Sequence, residues 1–158
     1  MSNPNFAKDI IDIIDRHGVD HAYIETEITE TIDEEEQDKL LDFVTIMNEN
    51  NIATSIDDFG TGYSSLNMLR NLPVSILKID KSFIDNEAII GRDRIVLSGI
   101  INMVKDLGIE VVTEGVESME QLEFIKSLNC NVVQGYLFDK PLPKEEFIIK
   151  LDRDKYVM

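Results

Sequence analysis

Cysteine is nearly absent. Cys130 is the single one in 158 residues, so no intrachain disulfide can form, and nothing points to an oxidising compartment. Cations are scarce: 15 Lys and Arg face 31 Asp and Glu, for a formal net charge of −16. Sequence-independent binding to DNA or RNA needs a Lys/Arg surface that displaces counterions, and this balance argues against it. A phosphate ester held through divalent cations is still compatible with so acidic a chain. No apolar run approaches the roughly 20 residues that span a bilayer. Met1-Ser2-Asn3-Pro4 does not open a secretory signal. The expectation is a cytoplasmic chain without membrane contact from this segment, although a longer parent could be anchored elsewhere. Low-complexity tracts, repeats and Gly/Ser-rich linkers are missing too. The length and the apolar fraction of 43% suit a single soluble domain over residues 1–158.

What is present is an alternation of helix-like and strand-like segments. Apolar spacing predicts a helix over 6–17, stopped by Gly18. A strand is expected over 22–29, then an amphipathic helix over 33–49 with Leu40, Leu41, Val44 and Met47 inward. A strand over 52–57 leads through a turn-rich stretch into a short helix over 64–70. The pattern then repeats: a strand over 76–80 and a helix over 92–107 with Ile95, Ile100, Ile101 and Val104 inward. It continues with a strand over 109–114, a helix over 118–128 with Ser118 as N-cap, a strand over 132–138 and a last helix over 143–151. Such alternation implies an α/β fold with a parallel sheet and crossover helices.

Chemically capable side chains sit near the C-terminal end of each expected strand. They are Glu27, then Asp57 and Asp58, then Lys78 and Asp80, then Glu114, then Gln134. In a TIM barrel those ends share one face, which carries the active site, and an open doubly wound sheet would also bind ligands there. Lys78 lies between Leu77 and Ile79, and a lone buried ammonium costs several kcal/mol, a rough figure, unless paired. Carboxylates of neighbouring strands are its obvious partners; a purely structural ion pair is the competing reading. Glu27, Asp57, Asp58 and Glu114 are all oxygen donors, and His17 and His21 lie away from them. That donor set suits Mg2+ or Mn2+ rather than zinc. Two divalent ions about 3.5–4 Å apart are the usual arrangement for phosphodiester cleavage.

Several motifs together resemble the EAL-domain family of bacterial cyclic-di-GMP phosphodiesterases. They are Glu27-Ile28-Thr29-Glu30, then Asp57-Asp58-Phe59-Gly60-Thr61-Gly62-Tyr63-Ser64-Ser65-Leu66, then Leu77-Lys78-Ile79-Asp80-Lys81-Ser82-Phe83. Glu114-Gly115-Val116-Glu117, Gln134-Gly135-Tyr136 and Lys140-Pro141-Leu142-Pro143 follow in the family's order. The resemblance implies a TIM-like barrel and a hydrolase that opens cyclic-di-GMP to pGpG. It makes Glu27, Asp57, Asp58 and Glu114 the metal ligands, with Asp57 bridging two ions. Lys78, Glu114 and Asp58 would act on the attacking water and the phosphate, and Gln134 would hold a water at the second site. Glu117, with Asp80, would orient the loop from Phe59 to Ser65, which in the family couples the metal site to dimerisation.

The family's earlier motifs do not occur: there is no Glu-Ala-Leu tripeptide, no following Asn-bearing strand and no neighbouring Arg. By resemblance, about three of a barrel's eight strands are missing. The expectation is an incomplete TIM-like barrel of about five parallel strands, a partial domain. Its open edges would invite a homodimer or pairing with the rest of a longer chain. The parent would hydrolyse cyclic-di-GMP and the isolated chain would be weakly active or inactive. The alternative is a truncated, non-catalytic binding or interaction module.

Overall fold

A computed structural model of the chain describes residues 5–29, 36–60, 65–84 and 91–151. Helix α1 (Phe6–His17) is followed by a 3-10 turn (His21–Tyr23) and strand β1 (Glu25–Thr29). Next come α2 (Gln37–Glu49), β2 (Ala53–Phe59), α3 (Ser65–Asn71), β3 (Ile76–Ile79) and a second 3-10 turn (Lys81–Phe83). The chain continues with α4 (Arg92–Asp106), β4 (Glu110–Thr113), α5 (Met119–Ser127), β5 (Val132–Val133) and α6 (Lys144–Leu151). The five strands form one sheet in chain order, every neighbouring pair parallel. Each strand therefore returns beside its predecessor through a helix, as in a (β/α) barrel wall.

The core lies where the sheet meets these helices. Ile56, Leu77 and Ile79 of the central strands are essentially inaccessible. Against them pack Phe43, Val44 and Met47 of α2, Leu97, Ile101 and Val104 of α4, and Leu122 and Ile125 of α5. A parallel sheet needs such cover, because its strands are apolar runs rather than one-sided alternations. No helix among the described residues is long and apolar enough to cross a membrane.

Three expectations from the sequence are corrected. Ile95 does not face inward; it is 72% exposed, and Leu97 takes the core position. Leu97, Ile101 and Val104 form the buried stripe, and Ile95, two residues earlier, points about 200° away on a helix of 3.6 residues per turn. Leu41 is likewise exposed, while Phe43 fills the core from α2. The last strand is two residues long rather than seven. Gln134 still donates to the Thr113 carbonyl, but its own carbonyl accepts from Val116, and Leu137 donates to the Val116 carbonyl. The chain thus bends to follow the loop after β4. Gly135 is pressed against that loop, where an added Cβ would lie 2.1 Å from the Val116 carbonyl oxygen. The expected first turn of α2 at 33–35 falls outside the described residues.

Candidate active site

Lys78 on β3 is the centre of the C-terminal rim. Its Nζ lies 2.6 Å from Glu27 Oε1 on β1, 2.8 Å from Glu114 Oε1 just beyond β4, and 3.3 Å from Asp57 Oδ1 on β2. Residues directly paired across parallel strands share a face, so the sheet register places these groups together. Glu27 is level with Ser55, Ser55 with Ile76, and Lys78 stands one alternation beyond Ile76. The Glu114 N–H continues the ladder by donating to the Ile79 carbonyl, which fixes its side chain above the end of β3.

Lys78 is 8% exposed. Burial pulls its ammonium toward the neutral form, but hydrogen bonds to Glu114 and Glu27, with the charges of Glu114 and Asp57, outweigh that pull. The group is held charged, its pKa above the ordinary lysine value.

Asp58 would face the opposite side of an ideal strand from Asp57. The pairing of β2 with β3 slips between Ile56 and Phe59, and Asp58 adopts a left-handed backbone with φ of 52°. A bulge re-aims a side chain in this way, and Asp tolerates the conformation better than most residues. Asp57, Asp58 and Glu114 as a result each offer a carboxylate oxygen within 4.8 Å of one another. Glu27 lies outside that trio, joined to it through Lys78.

The donor set suits a hard divalent cation. It is entirely carboxylate oxygen: Glu27, Asp57 and Glu114 surround one ammonium, and Asp58 joins Asp57 and Glu114. Asp57 Oδ1 adds a specific sign: it is buried with no hydrogen-bond partner among the described residues. Its 3.3 Å approach to Lys78 is an ion-pair contact without hydrogen-bond alignment. A buried carboxylate oxygen left in that condition has coordination capacity to spare.

The other expected residues take distinct places. Gln134 and Glu117 line a cleft of about 600 Å3 beside Glu114, together with Lys81, Tyr136 and Lys140. A smaller cavity of about 390 Å3 between α2 and α3 contains none of the convergent carboxylates, whereas the cleft is lined by one of them, Glu114. Asp80 accepts from the Ser82 N–H and caps the turn Lys81–Phe83. Burial alone would raise its pKa, but the hydrogen bonds to Ser82 and Lys81 and the Lys81 charge outweigh burial and hold it below the usual carboxylate value. That turn sets Phe83 directly beneath Gly60, where an added Cβ would meet the ring at 2.1 Å. The loop that Glu117 was expected to orient falls largely at 61–64, outside the described residues.

Sequence reasoning missed Gln121. It is buried; its amide nitrogen donates to the Ile84 carbonyl, and its amide oxygen accepts from the N–H groups of Glu117 and Ser118. One side chain thereby ties the loop carrying Glu114 and Glu117 to the turn after β3. The signal was legible: Ser118-x-x-Gln121 is a capping box, and both of its bonds form.

The EAL domain family matches residues 1–141. The chain belongs to that family. Among curated relatives, the cyclic di-GMP phosphodiesterase NbdA of Pseudomonas aeruginosa is 41% identical over 138 residues, covering 85% of this EAL chain and 18% of NbdA. The oxygen sensor protein DosP of Escherichia coli is 39% identical over 137 residues, covering 87% of the chain and 17% of DosP. The EAL chain thus spans less than a fifth of the length of these two relatives. Among solved structures, the EAL domain of Mycobacterium smegmatis DcpA superimposes with a TM-score of 0.90 at 28% identity, over 99% of this chain and 70% of that one. Klebsiella pneumoniae BlrP1, in a complex with manganese and cyclic-di-GMP, gives a TM-score of 0.77 at 27% identity, over 89% of this chain and 36% of that one.

Proposed function

We propose that this EAL domain chain is the metal-binding wall of a phosphodiesterase that hydrolyses cyclic-di-GMP to the linear dinucleotide pGpG. The observation that carries the reading is the meeting of Glu27, Asp57 and Glu114, from three separate strand ends, around Lys78, with Asp58 turned toward the same rim. Support also comes from relatives and solved neighbours whose names include cyclic-di-GMP, one of them with manganese.

Asp57, Asp58 and Glu114 would hold Mg2+ or Mn2+, with Glu27 beside them. When bound, such ions lower the pKa of a water and neutralise charge on phosphoryl oxygens. The chain's own groups complete the chemistry. Lys78, hydrogen-bonded to Glu27 and beside Glu114 and Asp57, orients a water and offsets charge on the phosphate. Glu114 or a neighbouring carboxylate takes the water's proton. Gln134 orients a second water, and Glu117, with Asp80, holds the loops at the cleft. The substrate enters the cleft lined by Tyr136 and Lys140.

The sequence holds no Glu-Ala-Leu tripeptide, so one metal position lacks a ligand the family usually supplies. The chain alone is accordingly expected to turn over cyclic-di-GMP weakly or not at all with Mg2+ or Mn2+. A longer polypeptide with the missing strands is expected to release pGpG. Rapid pGpG release by the isolated chain would overturn the need for those strands. Failure of the longer polypeptide to cleave cyclic-di-GMP would overturn the phosphodiesterase reading.

A further inference from the structure

Ser55 faces the same side of β2 as Asp57 and lies one layer below the rim. Its register partners are Glu27 on β1 and Ile76 on β3, both on that side. The residue is 0% exposed, and its hydroxyl has no hydrogen-bond partner among the described residues. The other buried side-chain oxygen in that condition is Asp57 Oδ1, two residues along the same strand face. Ser55 Oγ makes no hydrogen bond, and Asp57 Oδ1 has only its 3.3 Å ion-pair contact with Lys78, so a shared hydrogen-bond partner would satisfy both, and an unsatisfied buried polar group is rare and costly. Positions i and i+2 of a strand are about 6.6 Å apart, too far for direct contact between a short hydroxyl and a carboxylate standing parallel to it. A water making two O–H···O bonds of about 2.7 Å bridges oxygens about 4–5 Å apart, a separation reached when the Asp57 carboxylate leans along the strand toward Ser55.

We propose that Ser55 is a positioning residue: its hydroxyl and Asp57 Oδ1 hold one bound water between them, which fixes the Asp57 carboxylate at the floor of the acidic rim. The water accepts from the Ser55 hydroxyl or donates to it, and donates to Oδ1. A carboxylate oxygen has more than one acceptor direction. The direction aimed at the floor receives the water, and the direction aimed at the rim stays available for a cation. Groups that hydrogen-bond a ligating carboxylate set its orientation and thereby its affinity for the ion. This part of the inference rests on Asp57 being a metal ligand, as proposed above; the water position does not.

The test uses this chain as wild type, Ser55→Ala and Ser55→Thr. A high-resolution crystal structure of the metal-free wild type is expected to show a water about 2.6–3.2 Å from both oxygens. Ser55→Ala is expected to lose that water. Titration with Mn2+, read by electron paramagnetic resonance, is expected to give about tenfold weaker binding for Ser55→Ala and wild-type binding for Ser55→Thr, which keeps the hydroxyl. Absence of the water in the wild type overturns the proposal. So does Ser55→Ala binding Mn2+ as tightly as wild type while its thermal midpoint falls, since that marks a purely structural hydroxyl. A wild type that shows the water yet binds no Mn2+ supports the Ser55–Asp57 link and overturns Mn2+ binding by this chain's own carboxylates.

Discussion

Each end of the sheet holds a nitrogen base among oxygen acceptors. At the N-terminal end, His21 Nδ1 lies 2.7 Å from the Asn50 carbonyl and Nε2 lies 2.9 Å from Asp15 Oδ1, joining the ends of α1 and α2. At the C-terminal end, Lys78 gathers Glu27, Asp57 and Glu114. The contacts are equally short, but their surroundings differ. His21 sits at the surface, where water competes for every bond it makes. Lys78 is buried, and its removal would strand carboxylates that already repel one another. Similar distances therefore mean different things: the first contact trims the fold, and the second is a condition for the rim to exist.

Breaking the comparison at the buried end has the largest expected effect. Lys78→Met should lower stability by about 3–5 kcal/mol, the usual cost of leaving buried charges unpaired. Urea denaturation reads the loss. Mn2+ should raise the midpoint of Lys78→Met more than that of wild type, because the cation then supplies the positive charge the variant lacks. A midpoint unchanged by the substitution would show that Lys78 is not what balances the rim.

A smaller effect is expected beside it. Gly60 has a φ of 102° and no room for a Cβ above the Phe83 ring. Gly60→Ala should cost about 1–3 kcal/mol through backbone strain and the clash. Combining it with Phe83→Ala should give less loss than the sum of the two single variants, since the ring is half of the conflict. Strict additivity in thermal or urea midpoints would mean that the ring and the glycine are independent.

The smallest effect belongs to the surface histidine, and it depends on pH. Both groups facing His21 are acceptors, so only the imidazolium can donate to both. The hydrogen bond to the Asn50 carbonyl, followed by that to Asp15, holds the pKa of His21 above its ordinary 6.5. Stability from this contact is therefore fully present below about pH 6.5 and fades as pH rises through the folded-state value. The difference in midpoint between wild type and His21→Gln should shrink on going from pH 6 to pH 8.5. A difference that grows over that range would reverse the assignment.

The convergence of the acidic residues was legible because it followed from chain order: alternating strands and helices put all strand C-termini on one face. The first helix and its stop at Gly18 were legible from local spacing, and the observed bounds Phe6–His17 agree. The inward face of α4 was not. Its sequence carries Ile95, Val96, Leu97, Ile100, Ile101, Met103 and Val104, apolar residues around most of the circumference, so periodicity alone could not select the buried stripe. The sheet on one side made the choice. Asp58 was named as a candidate from the sequence, but the left-handed turn that brings it level with Asp57 accompanies the slipped register with β3 and has no one-residue signature. The end of β5 was misjudged for a similar reason: the loop after β4 captures the Gln134 carbonyl and the Leu137 N–H, a tertiary event invisible in the run of apolar residues.

Because the strands lie side by side in the order in which they are translated, the rim is assembled in a fixed sequence of charges. Glu27, then Asp57 and Asp58, emerge first and repel; Lys78 arrives next and neutralises; Glu114 comes last. A nascent chain that has released β2 but not β3 holds these acids without the Lys78 ammonium, and the arrival of β3 supplies the charge that draws Glu27 and Asp57 together.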